Sequence, residues 1–146
     1  MEEVIAVSAC LLGYNCKYDG SNNMSYPLIG LLKNKLVVPI CPEFFGGLDT
    51  PRIPAEIQLD GRILDKLGHD VTACFVRGAD VTWEILKKHH CHTVLLKDGS
   101  PSCGYKTIYD GTFQASKRSG EGFTAKLLRE KGVDIIDLDA WVSQQG

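Results

Sequence analysis

Apolar residues along the chain fall into short continuous runs separated by polar stretches rich in glycine and proline. Val4 to Ala9, Leu36 to Ile40, Thr93 to Leu96 and Val133 to Leu138 have the length and branched content of buried strands. Between them the period lengthens to that of a helix. Asp70 is placed to cap a helix from Val71 to about His90, in which Phe75, Ala79, Thr82 and Leu86 share one side, with Val81 and Ile85 nearby. Gly78 inside this helix weakens it, or marks a close packing point or a break. Glu121 to Lys131 is a second clear helix that stops at Gly132. Pro27 opens a short helix carrying Leu28, Ile29, Leu31 and Leu32. The tail from Asp139 reads as a helical turn.

The segments between these elements are turn-rich. Residues 10–26 read as an ordered loop. Residues 41–56 hold Pro42, Pro51, Pro54 and Gly46-Gly47, which argues against regular structure there. Residues 98–120 read as a long loop region. Ile57 to Leu59 and Arg62 to Leu64 flank Asp60-Gly61, a signal for a tight hairpin. Strands alternating with helices predict an α/β fold: a small Rossmann-like three-layer domain with a mainly parallel sheet and a β-hairpin to one side. The whole chain, residues 1–146, is expected to form one domain around one core.

Composition narrows the function classes. Apolar residues make up 44% of the chain and charges of both signs are mixed, as in globular proteins. The net charge of −2 gives no general attraction to duplex nucleic acid or to an anionic membrane. No apolar run is long enough to cross a bilayer. Val7-Ser8-Ala9-Cys10 superficially resembles a lipoprotein cleavage site, but Glu2 and Glu3 stand where a signal peptide needs positive charge, and the apolar run before Cys10 is too short. The expected location is the cytoplasm.

Six cysteines are many for this length. A chain with an ordinary apolar pattern and no secretion signal has little need of disulfides, so metal binding or catalysis is the better default for cysteines in loops. Ligands of open parallel sheets bind beyond the carboxyl ends of the strands. Cys10 follows the first strand, Cys41 the second, and Cys103 the Thr93–Leu96 strand, so the three are expected to converge. Loop thiolates at one sheet edge suit a soft metal centre; as free cysteines they could equally plug loop contacts. Cys74, inside a helix, and Cys91, at the end of that helix, read as structural. So does His89-His90-Cys91-His92, whose adjacent side chains diverge and whose histidines suit a helix C-terminus. Glu43, two residues after Cys41, reads either as a general acid/base or as a loop cap. Ser100 and Ser102, flanking Pro101, either orient a substrate or water or cap a turn. Lys97, Arg52 and Lys106 either steer an anionic substrate or are ordinary solvated positions.

The segments VSACLLGYNCKYDG, VPICPEFFGGLDTPRIPAE, LLKDGSPSCGYKTIYDGTF and GEGFTAKLLREKG resemble the thiouracil desulfidase family in order and over about residues 5 to 138. The resemblance implies a [4Fe–4S] cluster held by three cysteines, with the fourth iron open to substrate sulfur. Carried onto this chain, the ligands are Cys10, Cys41 and Cys103, with Cys16 in reserve. It points to Glu43 and to a serine of Ser100-Pro101-Ser102, Ser100 by preference, as catalytic; Ser102, Lys97 and Arg52 are then expected to touch substrate. Glu43-Phe44-Phe45 is bulkier than the Leu-rich family version. The implied reaction is non-redox desulfuration of a small thiocarbonyl such as a thiolated nucleobase, water replacing sulfur, with a sulfur acceptor as a further expected partner. Two other readings stay open: a sulfur carrier or donor using the same cluster, and a non-enzymatic metal-binding sensor or interaction module with four protein ligands.

Overall fold

The computed structural model describes residues 3–145; Met1, Glu2 and Gly146 lie outside the described residues. The apolar runs become β1 (Val4–Ser8), β2 (Leu36–Ile40), β5 (Thr93–Leu95) and β8 (Asp134–Ile136). They form one parallel sheet in the order β2-β1-β5-β8. Alternation along the strands splits the core between two faces. Ala6, Val38, Val94 and Leu96 face α3 (Thr72–Lys88) and α4 (Phe123–Glu130), against Leu86, Ala125 and Leu128. Ile5, Val7 and Leu95 face α1 (Tyr26–Leu31) and α5 (Leu138–Gln145), against Leu28, Leu32 and Trp141. The three-layer α/β arrangement is therefore present. The strand order reverses between β1 and β5, the position at which such sheets open a crevice at their carboxyl ends.

Local chemistry explains the helix boundaries. The Ser25 hydroxyl accepts from the Leu28 N–H and Pro27 sits in the first turn, so α1 starts one residue before Pro27. Phe75, Gly78, Ala79, Thr82 and Leu86 are the buried residues of α3. Asp70 accepts from the Thr72 N–H at 2.9 Å in a turn just outside that helix. Gly78 is a close packing point, not a break: a β-carbon there would overlap the Pro42 carbonyl, and one on Gly46 would overlap that of Cys74. Paired glycines thus let α2 (Pro42–Phe45) lie directly on α3.

Several loop expectations need correction. Residues 41–56 contain the one-turn α2 and the start of β3 (Ala55–Ile57). Pro42 at the first helical position favours the turn rather than blocking it. The side hairpin pairs β3 with β4 (Ile63–Asp65), but Ile57 faces Ile63 and residues 58–62 form the turn. Burial sets this register: Ile57 and Ile63 both enter a cluster with Phe75 and Ile108, and Leu59 is left 90% exposed. The 98–120 region holds a second hairpin, β6 (Thr107–Tyr109) with β7 (Lys117–Ser119). The tail is longer than one turn. Among the described residues no helix is long and apolar enough to cross a membrane.

Candidate functional site

Cys10, Cys16, Cys41 and Cys103 line one cavity of about 540 Å³ at the carboxyl ends of β1, β2 and β5. Three of them are placed by local backbone devices. Cys10 lies in the 3-10 turn Ala9–Leu12, which follows β1 and is closed by Gly13 at φ 96°. Cys41 ends β2 and caps α2, its carbonyl accepting from the Phe45 N–H. Cys103 is buried, and its N–H donates to Ser100 Oγ at 2.8 Å. Asp98 shapes that loop by accepting from the N–H groups of Tyr105, Lys106 and Thr107 and from the Thr107 hydroxyl.

The thiols divide by acidity. A hydrogen bond from the Cys16 thiol is the main cause that brings Cys10 down to about 6, against burial and with help from Asn23, Lys97 and Lys17. The same thiol is the main cause that brings Cys41 down to about 7, with burial opposing and Phe44 N–H and Arg52 helping. Cys16, the partner of both and holder of the single S–H proton between them, is pushed up. Burial pushes Cys103 up to about 12. Asn23 donates its side-chain amide to Cys10 Sγ at 3.4 Å. Among the described residues no three His, Cys, Asp or Glu side chains close on a single ion. Cys10, Cys41 and Cys103 reach one cavity from three separate loops, a donor set that fits a cluster whose cysteines bind different irons.

Beside the thiols, Glu43 has both carboxylate oxygens fixed. Ser102 Oγ donates to Oε2 at 2.8 Å, and Arg52 Nε to Oε1 at 3.1 Å. The ion pair is largely withdrawn from water, at 9% exposure for Arg52 and 15% for Glu43. Arg52 also donates to the carbonyls of Cys16 and Asp49 and to Thr50 Oγ1, so most of its donors meet protein acceptors. Ser102 has one hydroxyl proton and gives it to Glu43, so Ser100, 3.1 Å away, donates to Ser102 Oγ while accepting from Cys103 N–H. Lys97 lines the cavity, its N–H donating to Ser8 Oγ and its ammonium to the Asp98 carbonyl.

The structure thus brings Cys10, Cys16, Cys41, Cys103, Glu43, Ser100, Ser102, Lys97 and Arg52 around one cavity. It leaves others out. Cys91 is buried at the opposite end of β5, its thiol on the Thr93 carbonyl at 3.2 Å. Cys74 and the exposed His89, His90 and His92 are absent from the cavity wall, and Lys106 pairs with Asp137 at 2.8 Å. Sequence reasoning missed Asn23, Lys17, Lys66, Glu56 and Phe113 as lining residues. Lys17 lies in the CLLGYNCKYDG loop and Asn23 three residues beyond it, while Glu56 and Phe113 end the VPICPEFFGGLDTPRIPAE and LLKDGSPSCGYKTIYDGTF segments; those positions were the available signals.

Comparison with known proteins points to one family. The family described as 2-thiouracil desulfurase matches residues 5–139. The uncharacterized protein YbbK of Bacillus subtilis is 42% identical, over 91% of this chain and 94% of that one. A solved structure of the [4Fe–4S]-dependent thiouracil desulfidase TudS superposes with a TM-score of 0.88 at 40% identity, covering 99% of this chain and 97% of that one. The chain belongs to the 2-thiouracil desulfurase family.

Proposed function

We propose that this protein is a [4Fe–4S]-dependent hydrolytic desulfurase acting on a small thiocarbonyl such as a thiouracil. The observation that carries the reading is Glu43, held by Arg52 and Ser102 on the wall of a cavity that Cys10, Cys41 and Cys103 also line. The activity and cofactor in the description of TudS, a close structural match, support it. Cys10, Cys41 and Cys103 would hold the cluster. Binding requires thiolates; Cys10 and Cys41 are poised for it, whereas Cys103 must release a proton. When bound, the cluster supplies an open iron, a soft Lewis acid toward a thiocarbonyl sulfur.

The chain's own residues handle the water. Each Glu43 oxygen accepts one protein hydrogen bond and keeps a lone pair for a water proton. Arg52 and Ser102 fix the carboxylate, so Glu43 meets the water in one orientation. Arg52 therefore serves as a positioning group rather than a substrate contact. Of the two serines, Ser102 is the one that touches Glu43, and Ser100 sets its rotamer. Lys97 keeps ammonium donors for a substrate oxygen. The exchange balances: thiocarbonyl and water give carbonyl and hydrogen sulfide, with no electron gained or lost.

The test is sulfide release from 2-thiouracil and 4-thiouracil by anaerobically reconstituted protein. Wild type releases sulfide, and Glu43→Gln keeps its iron but turns over about 10²–10⁴-fold more slowly. A fully loaded wild type that desulfurates no thiopyrimidine contradicts the reading.

A further inference from the structure

The loop joining β6 to β7 has a conformation that the hydrolytic chemistry does not use. It places two non-glycine residues in the left-handed region, Phe113 at φ 58° and Ala115 at φ 59°. A bulky side chain there is an outlier that persists only where its surroundings impose it. The surroundings are visible. Glu56 of β3, 8% exposed, accepts at Oε1 from the N–H of Gly111 at 2.9 Å and of Phe113 at 3.1 Å. Gly111, at φ 95°, packs on the backbone of β3. Asp110 accepts from the N–H of Thr112 at 3.0 Å and closes the start of the loop. A nearly buried carboxylate spent on the shape of one loop indicates that the shape matters. Its result is that Phe113 lines the cavity shared by the thiols and Glu43, where Tyr109 and Tyr18 add two more rings. Tyr109 is itself steadied by the Lys117 ammonium 5.2 Å from its ring centre.

Resting on the desulfuration reading above, we propose that Phe113 is a specificity-determining residue, its ring forming the stacking surface for a flat heteroaromatic thiocarbonyl, and that Glu56 is the positioning residue that presents it. An aromatic face accepts any planar ring and gives nothing comparable to a small acyclic thioamide.

The experiment compares wild-type holoenzyme with Phe113→Gly, Phe113→Tyr, Glu56→Ala and Glu56→Gln. Its readouts are KM and kcat for 4-thiouracil and for thioacetamide, calorimetric affinity for unreactive uracil, iron content and melting temperature. Glycine suits the left-handed conformation, so Phe113→Gly melts no lower than wild type and keeps its iron. Its KM for 4-thiouracil rises, and its uracil affinity falls, about tenfold or more, the equivalent of one lost stacking contact. Its kcat/KM for thioacetamide falls by less than that for 4-thiouracil, and Phe113→Tyr behaves as wild type. Glu56→Ala reproduces the KM rise, and Glu56→Gln, which keeps an acceptor oxygen, restores it. An active, iron-loaded Phe113→Gly enzyme with wild-type KM and uracil affinity overturns the inference while leaving the desulfuration reading intact. A wild-type holoprotein that binds uracil, with Phe113→Gly binding it tenfold more weakly, but releases no sulfide supports the stacking role and overturns the desulfuration reading instead.

Discussion

The two ends of the parallel sheet both carry cysteine and use it differently. At the amino end of β5, Cys91 is buried among aliphatic side chains, and its thiol meets the carbonyls of Thr93 and Val4. Burial raises its pKa, so it stays a neutral thiol and a small packing group. At the carboxyl end, Cys10 and Cys41 border a cavity, share the Cys16 thiol as hydrogen-bond partner and lie near Lys97, Lys17 and Arg52, which lower their pKa values despite burial. The residue type is constant and the sheet is shared. Position relative to the crevice at the β1–β5 switch decides which cysteine is available to iron.

The sharpest way to break this contrast is to exchange the ends. Cys103→Ser is expected to abolish sulfide release and cluster retention, while Cys91→Ala keeps both and costs about 1–2 kcal/mol in stability from the lost buried atoms. Chemical denaturation with an iron assay separates the two effects. A Cys91 variant that loses its iron would collapse the distinction.

Next in size is the carboxylate clamp. Arg52→Gln is expected to lower kcat for 4-thiouracil by about 10–100-fold with little change in KM, because the guanidinium that holds Glu43 Oε1 through Nε while anchored on Cys16, Asp49 and Thr50 is lost. Arg52→Lys keeps the charge but not the guanidinium and recovers little of the rate. A large rise in KM with normal kcat, seen in steady-state kinetics, would return Arg52 to substrate contact.

The elements that position this site were unevenly legible. The four sheet strands and the buried face of α3 could be read because continuous apolar runs and a helical stripe are local signals. Lys117-Arg118-Ser119 forms β7 without any apolar alternation; it is held by pairing with β6, a partner its own residues do not announce. The register of the β3–β4 hairpin followed the burial of Ile57 and Ile63, not the Asp60-Gly61 turn signal. In the site, the cysteines, Glu43 and the two serines could be singled out by residue type. Their wiring could not be, because Glu43 meets Ser102 across 59 positions and Glu56 meets Phe113 across 57.

A smaller effect tests how the helical layer supports the crevice. Gly78→Ala must push α2 off α3, since its β-carbon would overlap the Pro42 carbonyl. It is expected to cost about 1–3 kcal/mol and to lower activity with it, because α2 carries Glu43. Unchanged stability and activity would show that the glycine contact is dispensable.

The mildest test uses iron-free, fully reduced protein. Alkylation at pH 8 is expected to label Cys10 and Cys41 and to spare Cys91 and Cys103, as the lowered and raised pKa values require. Below pH 5 the first two become protonated and labelling fades. Mass spectrometry of the peptides reports the pattern, and equal labelling of Cys91 would contradict the contrast between the two ends.

Three cysteines at the carboxyl end are proposed to hold the cluster and leave one iron free of protein ligands. Iron and sulfide content per chain, measured after anaerobic reconstitution of Cys→Ser variants at positions 10, 16, 41 and 103, addresses it directly. The account predicts full loading for Cys16→Ser and loss for the other three; a variant at position 10, 41 or 103 that keeps a complete cluster, or a Cys16→Ser protein that cannot hold one, would contradict it.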